Sequence, residues 1–323
     1  MRLLIYLLVL TAIFSCGTRK TPIKAEQENV AEGERAELQS IQTSLEYLAS
    51  DELEGRETGT IGIEKAAVFI ENFFSKNKIK PYFKTYRDTF RVKDVVGYNI
   101  VGYIEGNDVN LKNEFVVLGA HYDHIGAAKK VDGDSIANGA NDDASGTVAV
   151  MEWAKYFSES KSNKRSILFT LYAAEEMGLK GSEHLARRLK ESDLDLYTMI
   201  NFEMIGVPRT GDKIMAYLTG YNLTNMGEKL NSYAHEDILG FLPQAKSYNL
   251  FQRSDNYPFY QEFKIPAQAI STFDFTNFDY YHHVKDEAEQ MDFEHMTSFI
   301  NKMIPALEGM INASSKEIKM TNE

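Results

Sequence analysis

The stretch LFTLYAAEEMGLKGSEH, Leu168 to His184, decides how the rest of the chain is read. An apolar run climbs to Ala174, meets two adjacent carboxylates, Glu175 and Glu176, and passes at once into a glycine-punctuated segment, Gly178 to Gly181. Adjacent like charges repel, so two acids at the tip of a buried strand need a cation or a chemical task to account for them. The run SILFTLYAAEE is expected as a buried strand, and GSEHLARRLKES as a helix opened by Ser182 as its N-cap. Upstream, IGIEKAAVFIENFFSKNKI has apolar residues at helical spacing, VVGYNIVGYIEG and EFVVLGAHYDH read as strands, and GTVAVMEWAKYFSES reads as a helix. Downstream, LYTMINFEMIG is a second buried strand and IPAQAISTF a late one. FEHMTSFINKMIPALEGMINA is a closing helix that Pro305 is expected to kink. Strands apolar almost throughout, alternating with helices, imply an α/β fold: a mostly parallel or mixed twisted central sheet covered by helices on both faces.

In such sheets ligands gather at the carboxyl ends of the strands. HYDH, His121 to His124, follows one strand; Glu175 and Glu176 follow the next; Glu203 ends a third. NGANDDASG puts Asp142 and Asp143 in a small-residue turn before a helix, and DYYHHVKDE brings His282 and His283 near the end. Each piece alone is commonplace. A lone histidine is usually a satisfied core or surface residue, a DD turn a helix cap, and an EE pair a solvated helix face. Five such coincidences at strand ends favour a metal site, and imidazole nitrogens with carboxylate oxygens and no thiol suit catalytic zinc or a related divalent ion. On an extended segment His121 and Asp123 face one side, while Tyr122 and His124 point elsewhere or to the rim. His184, His235 and His295 lie on expected helices or loops without acid partners and read as structural or surface residues.

The ends of the 323-residue chain read differently from its body. MRLLIYLLVLTAIFSC pairs Arg2 with a short apolar run and ends at Cys16, the only cysteine, which excludes an intramolecular disulfide. Residues 1–16 therefore read as a signal peptide. Ile13 to Cys16 resemble a bacterial lipobox, which makes Cys16 the expected lipidation site and the protein an exported one, anchored on the periplasmic or cell-surface side of a membrane. Residues 17–37 are polar and read as a flexible tether, residues 38–313 as one catalytic domain, and residues 314–323 as a frayed tail. Thirty-five basic side chains against 47 acidic ones give a net charge of −12. With no basic run, nucleic acid is not an expected partner.

The motifs LASDELEGRETG, GAHYDHIG, NGANDDASGTVAVMEWA, AAEEMGLKGSEH, INFEMIG and YHHVKDEAEQMD resemble, in order and spacing, those of the M28 family of zinc peptidases, over roughly Leu48 to Ile311. The resemblance implies a metallo-aminopeptidase with two co-catalytic Zn2+ ions acting on peptides. It implies His121, Asp142, Glu176, Glu203 and His282 as metal ligands, with Asp142 the bridge and a cis peptide after it. Asp123 is then the partner of His121, and Glu175 the general base. His282 is preferred to His283 because it follows Tyr281 and precedes Asp286 by four residues. Glu203 stands where many members have aspartate, which puts the coordination geometry at that position in question. FQRSDNYPFYQEFKIPA resembles the loop that shapes the substrate pocket; Asp255 and Tyr281 are its candidate residues, although an Asp-Asn turn before Pro258 explains Asp255 as well. The rival readings are a single-zinc transferase of the glutaminyl cyclase type, a receptor-like relative without catalysis, and a carboxypeptidase.

Overall fold

A computed structural model of the chain describes residues 35–211 and 213–321. The segment expected as a signal peptide, Cys16 and most of the expected tether lie outside the described residues. In chain order the elements are α1 (Leu38–Leu48), α2 (Ile61–Lys76), β1 (Lys80–Pro81), β2 (Arg87–Val92), β3 (Val95–Ile104) and β4 (Phe115–His121). A small hairpin of β5 (Ala127–Val131) and β6 (Asp134–Ile136) precedes α3 (Gly146–Ser160), β7 (Ser166–Tyr172), α4 (Lys180–Glu191) and β8 (Leu196–Glu203). The remainder is β9 (Ala216–Leu218), α5 (Met226–Ala234), β10 (Leu239–Gly240), α6 (Pro243–Ser247), α7 (Asn256–Phe263), β11 (Ala267–Ser271) and α8 (Phe293–Asn312).

Nine strands form one mixed sheet in the order β1-β3-β7-β4-β8-β11-β9-β10, with β2 also paired to β3. The four central strands, β7, β4, β8 and β11, are mutually parallel, so their carboxyl ends emerge together. Register holds them level: His121 pairs with Tyr172, and Ser271 with Glu203. The apolar strands serve both faces by alternation. Val116 and Leu118 join the larger core, which holds Trp153, Phe169, Phe202 and Phe299, while Val117 joins a smaller core with Leu168, Leu185 and Phe259. Helices α1, α2, α3, α5 and α8 therefore cover one face, and α4 and α7 the other. After β4 the chain returns to β7 on one side and then passes to β8 on the other, so the direction of winding switches at β4. A crevice opens at such a point.

Three local expectations differ from the structure. Helix α4 starts two residues before Ser182, from Leu179 at φ 62°, and Ser182 bonds back to the Leu179 carbonyl at 3.2 Å instead of capping the helix. Helix α8 runs on through Pro305 as one element, supported by Met303, Leu307 and Met310 in the core. The C-terminal segment, expected to fray, docks on the body. Ile318 is 2% exposed, its N–H donates to Tyr197 Oη at 2.7 Å, and Met320 bridges to Thr224. Ile318→Ala is expected to lower unfolding free energy by about 2–5 kcal/mol, the usual loss for a buried large-to-alanine change. Urea denaturation measures it, and an unchanged midpoint would mean that the tail carries no packing.

Candidate metal centre

The centre is built from segments that leave the four parallel strands. His121 is the last residue of β4, Glu203 the last of β8, and Glu175 and Glu176 lie in the turn after β7. His121 Nδ1–H donates to the carbonyl of Asp123 at 3.1 Å, which leaves Nε2 free to face the crevice. There Nε2 lies 3.2 Å from Glu203 Oε1 and 3.2 Å from Asp142 Oδ1. The other oxygen of Asp142 faces the opposite way: Oδ2 is 3.3 Å from His282 Nε2, which is itself 3.2 Å from Glu176 Oε2. Two clusters thus meet at one aspartate.

Asp142 is held from behind. The carboxylate of Asp286 accepts from the backbone N–H groups of Asn141 at 2.7 Å and Asp142 at 3.1 Å. The peptide between Asp142 and Asp143 is cis, as the family resemblance implies. Asp143 turns away and accepts from the N–H groups of Met204 and Gly146, tying this turn to β8 and α3. Arg56, from the EGRETG motif, is buried beneath both imidazole-bearing and carboxylate-bearing loops. Its guanidinium donates to the carbonyls of Tyr122 at 2.8 Å and Gly139 at 2.9 Å, and also to those of Leu48 and Asn138. One fixed cation thereby joins the segment of His121 to the segment of Asp142.

Asp123 serves differently from the expectation. Its carboxylate stands 3.7 Å from His121 Nδ1, farther than its own carbonyl. The two oxygens accept instead from the N–H of Glu175 at 3.1 Å and from Thr58 Oγ at 3.1 Å, and Thr58 in turn accepts from the N–H of Ala174. Asp123 therefore positions the turn that carries both glutamates. Glu203 is steadied by Ser254, which donates to its Oε2 at 2.6 Å. The longer side chain still brings Oε1 to His121, so this glutamate reaches the cluster at its position.

Two further placements add to the sequence reading. Of the two orientations left open for His124, elsewhere or to the rim, the structure has the first, because β4 ends at His121 and the alternation of a strand stops there. Its ring is buried, with Nδ1 3.0 Å from Glu176 Oε1 and 3.8 Å from Asp142 Oδ2. Asp255 is not at the mouth of a pocket. It is fully buried before α7, and burial pushes its carboxyl up to about 7, with Glu203 and Asp123 adding to the effect and His121 opposing it. Tyr281 is exposed, stacks on His282 at 4.0 Å, and lines a cleft with Glu203, Met204, Leu250, Phe273 and Phe275. His184 also has an acid partner, Asp88 at 3.3 Å, far from the crevice. No sequence signal marked Arg56 or Ser254, since both act through loop geometry.

The protonation pattern is that of a cation site. Burial alone would raise Asp142, but His121 and His282 outweigh it and hold the carboxyl well below the ordinary range. Burial works against a charged His282 as well, yet Asp142 and Glu176 push it up to about 10. The carboxylates therefore attract positive charge at both points. Glu176 Oε1, His282 Nε2 and both ring nitrogens of His124 are buried without a hydrogen-bond partner. Buried polar atoms without partners are costly, and a divalent ion can satisfy Glu176, His282 and one nitrogen of His124 together. Around such points lie the sets His121, Asp142, Glu203 and His124, Asp142, Glu176.

Sheet, switch point and ligand-like clusters together define an α/β architecture with a candidate metal centre at its crevice. A family model described as Peptidase family M28 matches residues 99–306, and the chain belongs to that family. A probable leucine aminopeptidase 2 from Arthroderma benhamiae is 32% identical over 178 residues, covering 54% of this chain and 33% of that protein. The chain spans about a fifth to a third of the length of the curated relatives it matches. The zinc aminopeptidase BSAP of Bacillus subtilis has the same fold, with a TM-score of 0.66 at 15% identity over 92% of this chain and 100% of that one. The glutaminyl cyclase of Porphyromonas gingivalis shares it too, with a TM-score of 0.64 at 16% identity, covering 84% and 97%.

The two neighbouring glutamates are expected to separate on metal content. Glu176→Ala loses bound metal, whereas Glu175→Ala, whose carboxylate lies in neither cluster, keeps the wild-type amount. Elemental analysis of the purified variants reads this directly, and equal metal loss in both would contradict the division.

Proposed function

We propose that the protein is a zinc-dependent aminopeptidase that releases N-terminal residues from peptides. The observation that carries this reading is the sharing of Asp142 between two clusters, with Glu175 beside them. His121, Asp142 and Glu203 would hold one ion, and Asp142, Glu176 and His282 a second. Bound zinc supplies Lewis acidity for attack of water on a peptide carbonyl.

The remaining work falls to the protein. The carboxyl of Glu175 is pushed well up by burial and by Glu203, Asp255 and Glu176, with His121 opposing. A carboxylate with raised proton affinity is suited to take a proton from water and deliver it to the leaving amine. Asp123 fixes the backbone of Glu175, so the base is aimed by its own main chain. The cleft beside Glu203 is walled by Leu250, Phe273 and Phe275, which suits an apolar side chain. The acidic crevice favours the charged α-amino group of a free N-terminus.

The test compares free dipeptides and aminoacyl anilides with their N-acetyl forms. Single residues are expected to leave the free substrates rapidly and the blocked ones barely. Glu175→Ala should lower kcat roughly 10²–10⁴-fold, the typical worth of a general base. Equal cleavage of free and blocked peptides would move the reading to a carboxypeptidase or endopeptidase. Ring closure of an N-terminal glutamine without residue release would favour the cyclase chemistry, for which the complete His121–Glu203 cluster has no use.

We also propose export and lipid anchoring through Cys16. The support is the short apolar segment ending in the only cysteine. No helix among the described residues is long and apolar enough to cross a membrane. Acyl chains on Cys16 would carry the anchoring. Cys16→Ser expressed in a bacterial host is expected to shift the protein from the membrane fraction to the soluble one. A wild-type protein already fully soluble after export would leave a plain signal peptide in place of the lipoprotein.

A further inference from the structure

We infer that His124 is an additional ligand on the Glu176–His282 side of the centre, making that position a closed four-residue site and leaving the His121–Glu203 side open. This rests on the metallopeptidase reading above and adds an inequality between its two ion positions.

The backbone around His124 is fixed before its ring is placed. Arg56 binds the carbonyl of Tyr122, and the N–H of His124 donates to the carbonyl of Arg56 at 3.3 Å. The ring then lies against Gly139, where a Cβ would come within 2.5 Å of its Cγ. That glycine has φ 58°, so both its conformation and its lack of a side chain make room for the imidazole. His124 is 1% exposed, and neither ring nitrogen has a hydrogen-bond partner. A buried imidazole loses its hydration, and here only the Glu176 carboxylate stands within reach of it as compensation. The group it faces is Glu176 Oε1, likewise buried and unpartnered, 3.0 Å from Nδ1.

The distances suit a shared ion. Ligand atoms around a tetrahedral zinc with Zn–N bonds of ~2.0–2.1 Å stand roughly 3.3 Å from one another. Here His282 Nε2 lies 3.3 Å from Asp142 Oδ2 and 3.2 Å from Glu176 Oε2, and His124 Nδ1 lies 3.8 Å from the same Asp142 oxygen and 3.0 Å from the other Glu176 oxygen, Oε1. The two rings approach edge to face at 76° with centroids 5.6 Å apart and do not stack. Four protein donors fill a tetrahedral shell, as in structural zinc sites, whereas three leave a position for exchange. The ion beside His124 is therefore the retained one, and the ion beside His121 the exchangeable one.

The experiment uses the full chain stripped of metal and titrated with Zn2+ and with Co2+. The wild type is expected to take up two equivalents of clearly different affinity, the first cobalt giving the spectrum of a four-coordinate site. In His124→Ala the tighter equivalent weakens by at least about tenfold, the scale at which even outer partners of a ligand act, and the first cobalt spectrum changes. His124→Phe keeps a flat ring against Gly139 without a donor and should show the same loss, which separates ligation from packing. Thermal unfolding of the metal-free variants checks that they fold. Wild-type affinities and an unchanged cobalt spectrum in both variants would overturn the role of His124 alone. A wild-type chain that binds neither metal would overturn the metallopeptidase reading, and this inference with it.

Discussion

Everything at the centre depends on how the carboxylate of Asp142 is held. Its two oxygens face different imidazoles, His121 at 3.2 Å and His282 at 3.3 Å, and that divided contact makes one site out of two clusters. The carboxylate can keep this pose because its backbone is fixed. Asp286 takes the N–H groups of Asn141 and Asp142, while Arg56 takes the carbonyl of Gly139. Asp286 is itself buried, and burial together with Asp142 raises its carboxyl to about 8. Acids are stacked here behind acids, an arrangement that favours cation binding over intrinsic stability. A ligand that binds only the folded state adds stability in proportion to the logarithm of its concentration over its dissociation constant. The metal thereby becomes part of the fold's stability as well as of its chemistry.

The sheet supplies the level on which these groups meet. Four parallel strands end together, and the reversal of winding at β4 opens the crevice into which their last residues project. This much was legible in the sequence, because fully apolar strands such as SILFTLY announce a sheet buried on both faces. The acids and imidazoles immediately after those strands then had a predictable location. The carbonyl ends of β4, β7 and β8 carry His121, the Glu175–Glu176 turn and Glu203, as their positions in the sequence imply.

What was not legible depends on where strands stop and on what loops touch. His124 was read by strand alternation, which fails one residue after β4 ends. Asp255 is a pocket candidate through the resemblance of its loop, yet the turn before α7 folds it inward. Arg56 bonds to four carbonyls, and a guanidinium that recognises main chain leaves no pattern in the partners' side chains. The short strands β9 and β10 carry two or three residues each, too few for a period-two signal, and the tail gains its order from partners far away in sequence, among them Tyr197, Thr224, Asn225 and Lys229.

The central claim is that Asp142 stands between two ion positions. Diffraction from zinc-loaded crystals on either side of the zinc absorption edge tests it most directly. The account predicts two anomalous peaks flanking the Asp142 carboxylate, roughly 3.5–4 Å apart as in two-metal hydrolase sites. A single peak, or two peaks of which one lies away from Asp142, would contradict it.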